Sequence, residues 1–321
     1  MKKLMIGTTL AFVGAFGIAA RGDVVEIGPG ETHVITADNI ATYKDNQIAI
    51  NGGTLDLNGN SLPIAGLSGT NAESLVKDSV GGSVLTVTQA EETSFAGRID
   101  ASVTLVKNGT ATATYVLRDL GSFRARGGTT VFAGGAITNE DRKLTIGNDT
   151  YTSATVSFTG GQHKIMTASE DSSFGIGYSG TGTLKVSGDD TVVLVNIRKD
   201  SYFGNTGQST VDVSGGALYL RHEGKSSGVQ LYQASQPGAT STWRISGGLV
   251  DCDNTLITSR GAFDYLQSGG TVRFANFQLA GNAQGKDKSI SFRVTGGTFT
   301  AGAAISVGTA GAHAYTVSIS D

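Results

Sequence analysis

Covalent and conformational locks are scarce in this sequence: its 321 residues include one cysteine, Cys252, and three prolines. A single thiol excludes an intramolecular disulfide, so stability must come from backbone pairing and core packing. Collagen is excluded by the shortage of proline and by glycine that does not recur at every third position. Charged residues make up only 16%, with a formal net charge of −3. No basic run and no aromatic-interleaved Lys/Arg patch occurs, so nucleic acid is not an expected partner. Beyond the first 20 residues no apolar stretch approaches the ~20 residues of a membrane helix, and no transmembrane span is expected in the mature chain.

Glycine is what the chain has in excess, 47 residues, about twice ordinary usage. Each glycine costs a helix roughly 1 kcal/mol relative to Ala, which argues against long helices. With 39% hydrophobic residues the chain is too apolar for a disordered linker. A β-rich protein with many glycine turns is left.

Residues 1–20 have the form of a cleaved secretory signal. Lys2 and Lys3 precede an apolar core from Leu4 to about Ile18, and Ala19 and Ala20 offer a cleavage site before Arg21. Loss of the two lysines takes the net charge from −3 to −5. An exported protein, extracellular or on the cell surface, is expected.

A cassette of alternating apolar residues around Ser/Thr-Gly-Gly recurs as V211-D-V-S-G-G-A-L-Y-L220, W243-R-I-S-G-G-L-V-D-C252 and F292-R-V-T-G-G-T-F-T-A301. Weaker copies surround Gly160, Gly188 and Gly269. The period of about 27 residues is that of a solenoid or propeller. Strands of about four residues with fixed joints (WRIS, GG, LVDC, DN, TLIT) suit a three-sided coil better than propeller blades, which need four antiparallel strands each. The expected fold is all-β: a right-handed parallel β-helix of about 11 coils. Residues 21–62 would form the N-terminal cap and first coil, and 63–321 the β-helix repeats, ending mid-coil. Alternation should turn Ile245, Val250 and Cys252 inward and Arg244 and Asp251 outward. The copies at Tyr232–Ile245 and Gly281–Val294 read as longer by four residues, as surface insertions would be.

S94-F-A-G-R-I, L105-V-K-N-G-T and R126-G-G-T-T-V-F-A-G-G-A-I resemble the autotransporter-associated β-strand repeat. The G-T-L-x-V-S-G and S-G-G-x-L cassettes are similar to those of bacterial surface proteins with pectin-lyase-like right-handed β-helices. The resemblance implies a surface-displayed passenger, an adhesin or stalk. It departs from the family in lacking the transmembrane barrel, whose strands would be about ten alternating residues long. A fragment, or a passenger with a separate outer-membrane translocation partner, would each account for that.

Since β-helices also house polysaccharide hydrolases and lyases, each chemical motif is weighed against a structural role. Asp189-Asp190 and Ile197-Arg198-Lys199 resemble polygalacturonase motifs, but the Gly-His-Gly and Asn-Thr-Asp partners are missing. Adjacent carboxylates also face opposite ways on a strand, whereas a glycosidase pair must sit about 5–9.5 Å apart across the sugar. Asp251 and Asp253 share a face beside Asn254, but calcium wants six to eight oxygens from several segments, and Arg244 and Arg273 read as charge partners. F174-G-I-G-Y-S-G180 matches a dinucleotide fingerprint without the helix it requires, so a β-helix corner is expected. His33, His163, His222 and His313 lack metal-ligand spacing. Cys252 reads as a packed core thiol, and Arg21-Gly22-Asp23 as a chance tripeptide at the cleavage point. No catalytic, metal or cofactor residue is therefore assigned. The sequence points to a non-enzymatic exported surface protein with glycans or other cell-surface components as partners; the alternative is a carbohydrate-active lyase or hydrolase.

Overall fold

The computed structural model describes residues 22–319 except 140–143, 151, 167–173, 198–199, 223–229, 259, 280–288, 303–304 and 308–313. The signal segment, Arg21, the Arg198-Lys199 pair and His313 lie outside the described residues. Among the described residues the one α-helix is four residues long, Ile40–Tyr43, and the rest of the regular structure is β-strand.

Each strand pairs in parallel with strands one turn of the chain before and after it, and the strands run in three ladders. The first carries the front half of the cassette: the leading part of Ser153–Met166 (whose trailing part pairs with Val192–Ile197), Thr181–Val186, Gln208–Val213, Thr240–Ile245, Ala262–Gln267 and Ser289–Val294. The second carries its back half: Val192–Ile197, Ala217–His222, and the leading parts of Leu249–Thr258 and Thr271–Leu279. The third runs through Ser201–Phe203, Gln230–Gln233 and the trailing parts of those same two long strands. This is the connectivity of a solenoid-like β-helix, with the three-strand repeat read from the cassette.

Alternation within each strand builds the core. Ile245, Val250 and Cys252 are buried, whereas Arg244 is exposed and Asp251 partly so. Aromatic side chains fill the inside: Trp243 and Tyr265 are fully buried, and Tyr265 stacks on Phe292 one coil later at 4.8 Å between centroids. Outside, Thr129, Thr155, Thr183, Thr210 and Thr242 stand in register up the first ladder, where β-branched side chains suit a pleated surface.

The two glycines of each cassette answer different demands. The second, as in Gly216, Gly248 and Gly270, has φ of +64°, +69° and +71°, a region costly for any residue with a Cβ. The first has ordinary φ, but coils stack too closely for a side chain: a Cβ on Gly247 would lie 2.4 Å from the Ser214 carbonyl oxygen.

At other corners, buried long polar side chains satisfy backbone carbonyls that the ladders leave open. The amide nitrogen of Gln267 donates to the Thr298 carbonyl at 3.0 Å. The ammonium of Lys107, which has no exposed surface, donates to the carbonyls of Asn108, Ala111 and Gly127.

Two sequence readings need adjustment. Tyr115 pairs with Phe132 and Val213 with Ile245, so the coil offset ranges from 17 to 32 residues rather than holding near 27. The pairing also aligns Phe203 with Gln233 and Val213 with Ile245, intervals of 10 and 12 residues. The extra length in that coil is therefore two residues, not four, inserted in the turn 234–239. Here Ala234 takes the corner position that Gly177 and Gly204 hold in earlier coils, and it too has positive φ, +48°.

Candidate functional site

The third ladder carries an outward column that departs from the Ser/Thr surface elsewhere. Tyr202 pairs with Tyr232, Tyr232 with Ile257 and Ile257 with Gln278. Strand alternation that buries Phe203 and Leu231 leaves Tyr202 and Tyr232 facing out. The coil before Tyr202 supplies Gly175 at the paired position. Tyr178, from the turn that follows, leans alongside: its ring stands at 88° to Tyr202, 5.5 Å between centroids. Its backbone N–H is held by the Asn148 side-chain oxygen at 3.3 Å.

Tyr202 and Tyr232 stack at 5.3 Å with planes only 12° apart, so each covers one face of the other and offers its edge to solvent. The three tyrosines form one wall of an open groove of about 550 Å³, within the size range of ligand sites. Amides and a hydroxyl make up most of the remaining lining: Asn205, Gln230, Ser235, Gln236 and Gln278. Arg260 is the charged residue of the lining. The Ser235 hydroxyl is tied to the Asn205 side chain, which fixes that edge. The groove crosses the coils, from Tyr178 to Gln278, and at ~4.8 Å per coil it runs roughly 19 Å along the solenoid.

Asp200 lies near Tyr202 and Tyr232. Its carboxylate accepts the Gln230 N–H at 2.9 Å. Burial raises the phenol pKa of Tyr202 and of Tyr232, and the negative charge of Asp200 raises both further. The phenols of Tyr202 and Tyr232 thus keep their protons at neutral pH and can donate as well as accept. None of their hydroxyls bonds to another described residue.

The residues singled out from sequence fall elsewhere. Asp189 and Asp190 are exposed in the turn after Thr181–Val186. Asp251 pairs with Arg221 at 2.8 Å, and this hydrogen bond holds its carboxyl below the usual range. Arg221, not Arg244, is therefore its partner: Arg244 lies on the first ladder in register with Asp212. Arg273 does stand beside Asp251 in the second ladder and adds to the effect. Asp253 accepts the His222 backbone N–H at 2.6 Å, and buried Asn254 donates to the Leu220 carbonyl. These contacts make the acidic cluster a brace between coils, and no metal-binding group of three or more His, Cys, Asp or Glu forms among the described residues.

Gly175–Gly180 is a corner leading into the strand Thr181–Val186, not into a helix. His33 is hydrogen-bonded to the Tyr43 hydroxyl at 3.0 Å. His163 is buried between Phe132 and Phe158, its Nε2 against the Gly160 carbonyl at 2.7 Å. Cys252 is the expected core thiol, pushed up to about 12 by burial. Gly22 and Asp23 enter the first strand, Asp23 accepting the Gln47 N–H through its carbonyl. Of the two copies read as longer, Gly281–Val294 is described only from Ser289 on, while residues 234–239 of Tyr232–Ile245 supply Ser235 and Gln236 to the groove.

Sequence reasoning passed over the tyrosines. A signal exists in S201-Y-F and L231-Y-Q, where Tyr takes the same outward slot, but Tyr178 reaches the wall from a turn. No helix among the described residues is long and apolar enough to cross a membrane. Comparison with protein-family models, curated proteins and solved structures finds no match to this chain.

Proposed function

We propose that this is an exported, non-enzymatic β-helical surface protein, an autotransporter-like passenger, stalk or adhesin, whose tyrosine-walled groove holds an extended glycan. The single observation that carries the reading is the wall of Tyr178, Tyr202 and Tyr232 in a groove otherwise lined mainly by side-chain amides. Sugar rings present C–H faces and hydroxyl edges, and tyrosine offers an apolar body with a polar tip to match both. Asn and Gln each bring a donor and an acceptor, which suits hydroxyls of either role. Phenols, amides and a guanidinium supply donors and acceptors for sugar hydroxyls, in keeping with a binding role. A groove running along the coil axis favours a chain over a single sugar.

The finer architecture belongs to the same proposal. It comprises a right-handed coil, as parallel crossover connections strongly prefer, in about 11 turns, a cleaved signal over residues 1–20 and the autotransporter-associated repeat. Delivery would involve a separate outer-membrane partner. Glycan-array binding of the mature protein, paired with a reducing-end release assay on every glycan bound, tests it. Binding that strengthens with oligosaccharide length, falls severalfold in Tyr202→Ala, which removes the middle ring of the wall, and releases no product is expected. Release of reducing ends would establish the lyase or hydrolase alternative, and absence of any glycan binding would overturn the groove's assignment.

A further inference from the structure

We infer that the glycan held by the groove is anionic, with a carboxylate seated at Arg260. This deepens the assignment of the groove and rests on it. Arg260 is exposed and forms no ion pair with a described residue, unlike Arg221, which is joined to Asp251, and Arg126, joined to Asp149. Its backbone N–H is anchored to the Ala234 carbonyl at 3.1 Å, so the guanidinium starts from a fixed point beside the turn 234–239. A planar guanidinium matches a carboxylate through two parallel hydrogen bonds.

The opposing charge sets the direction. Asp200 stands close enough to Tyr202 and Tyr232 to raise their phenol pKa values, so an acid group would be repelled along that part of the wall. Arg260 lies between the strands Leu249–Thr258 and Ala262–Gln267, one coil later than Tyr232. The groove is thus polarised, aromatic beside the Asp200 carboxylate at the Tyr202–Tyr232 part and cationic at Arg260. A ligand with uncharged rings over the tyrosines and a uronic-type carboxylate at the other end meets both.

The test uses the mature chain with a uronic-acid oligosaccharide and its carboxyl-reduced counterpart of the same length, measured by calorimetry. The charged form should bind about fivefold tighter, the size of a partly exposed ion pair. In Arg260→Gln that preference should vanish, the charged and reduced forms binding alike. Raising the salt concentration should shrink it in the wild type. Arg260 is exposed, so the variant's unchanged melting curve serves as the folding control. Equal binding of both forms by the wild type, or a preference that survives Arg260→Gln, overturns the anionic assignment and leaves the glycan groove standing. Failure of both forms to bind overturns the groove and this inference together.

Discussion

The indole N–H of Trp243 donates to the side-chain oxygen of Gln233 at 2.9 Å, both residues wholly buried. The Ser241 hydroxyl donates to that same oxygen at 2.6 Å, and the Ser209 hydroxyl to Ser241 at 3.0 Å. One glutamine therefore joins the third ladder to the first across the turn 234–239, directly beneath the groove. Gln233→Leu keeps the bulk and removes the acceptor, stranding two buried donors. A loss of about 2–4 kcal/mol is expected, since each desolvated orphan costs ~1–3 kcal/mol. Trp243 is the chain's single tryptophan, so its fluorescence in a urea titration reads this region directly. An unchanged midpoint would show that the network contributes nothing.

Two glycines separate backbone strain from crowding. Gly238 and Gly248 both have positive φ, +82° and +69°. A Cβ on Gly238 meets nothing within 4 Å, whereas one on Gly248 lies 2.5 Å from the Gly216 carbonyl oxygen of the previous coil. Gly238→Ala should cost only the left-handed strain, about 1–2 kcal/mol. Gly248→Ala adds overpacking between coils, for about 2–5 kcal/mol in total. Equal losses in denaturant titrations would mean that coil spacing places no demand on the second cassette glycine.

This difference also explains what could be read from the sequence. The Gly-Gly joint is a backbone requirement repeated coil after coil, so it left a visible period between Gly215 and Gly297. Inward residues such as Ile245 and Cys252 followed from alternation alone. The N-terminal coils were less legible because their offset is shorter and uneven, as from Leu105 to Phe123. The groove was not legible, because no backbone rule fixes an outward side chain. Its tyrosines are 24 and 30 residues apart, at 178, 202 and 232, and Tyr178 comes from a turn. Asp251 was misassigned to Arg244 because local spacing does not reveal that Arg221, one coil earlier, stands closer.

Two buried tyrosines should respond oppositely to loss of their hydroxyls. Tyr115 is 1% exposed and its hydroxyl has no hydrogen-bond partner. Tyr265 is fully buried, and its hydroxyl donates to the Gln267 side-chain oxygen at 2.9 Å. Tyr115→Phe removes a desolvated, unpaired group and should leave stability unchanged or raise it by up to about 1 kcal/mol. Tyr265→Phe strands the glutamine acceptor and should cost about 1–2 kcal/mol. Thermal melts of the two variants against wild type decide this, and a marked loss in Tyr115→Phe would reveal a partner, such as a buried water.

Lys107 gives the fold a pH dependence on the alkaline side. Burial lowers its pKa to about 8, against about 10.4 for a free lysine. Between those values the unfolded chain binds more protons than the folded one, so stability rises with pH. Below about pH 8 the lysine is charged in both states and the full cost of burying the ammonium applies. As pH climbs from about 8 to 10.4 that cost is lifted, by at most about 3 kcal/mol. The hydrogen bonds from the ammonium to the carbonyls of Asn108, Ala111 and Gly127 favour the charged form and make the gain smaller. Other lysines and tyrosines titrate in the same range, so the informative quantity is the difference between wild type and Lys107→Met. Denaturation midpoints from pH 7 to 10.5 should rise in the wild type relative to the variant. Parallel profiles would mean that the three carbonyls fully offset desolvation and hold Lys107 near its ordinary pKa.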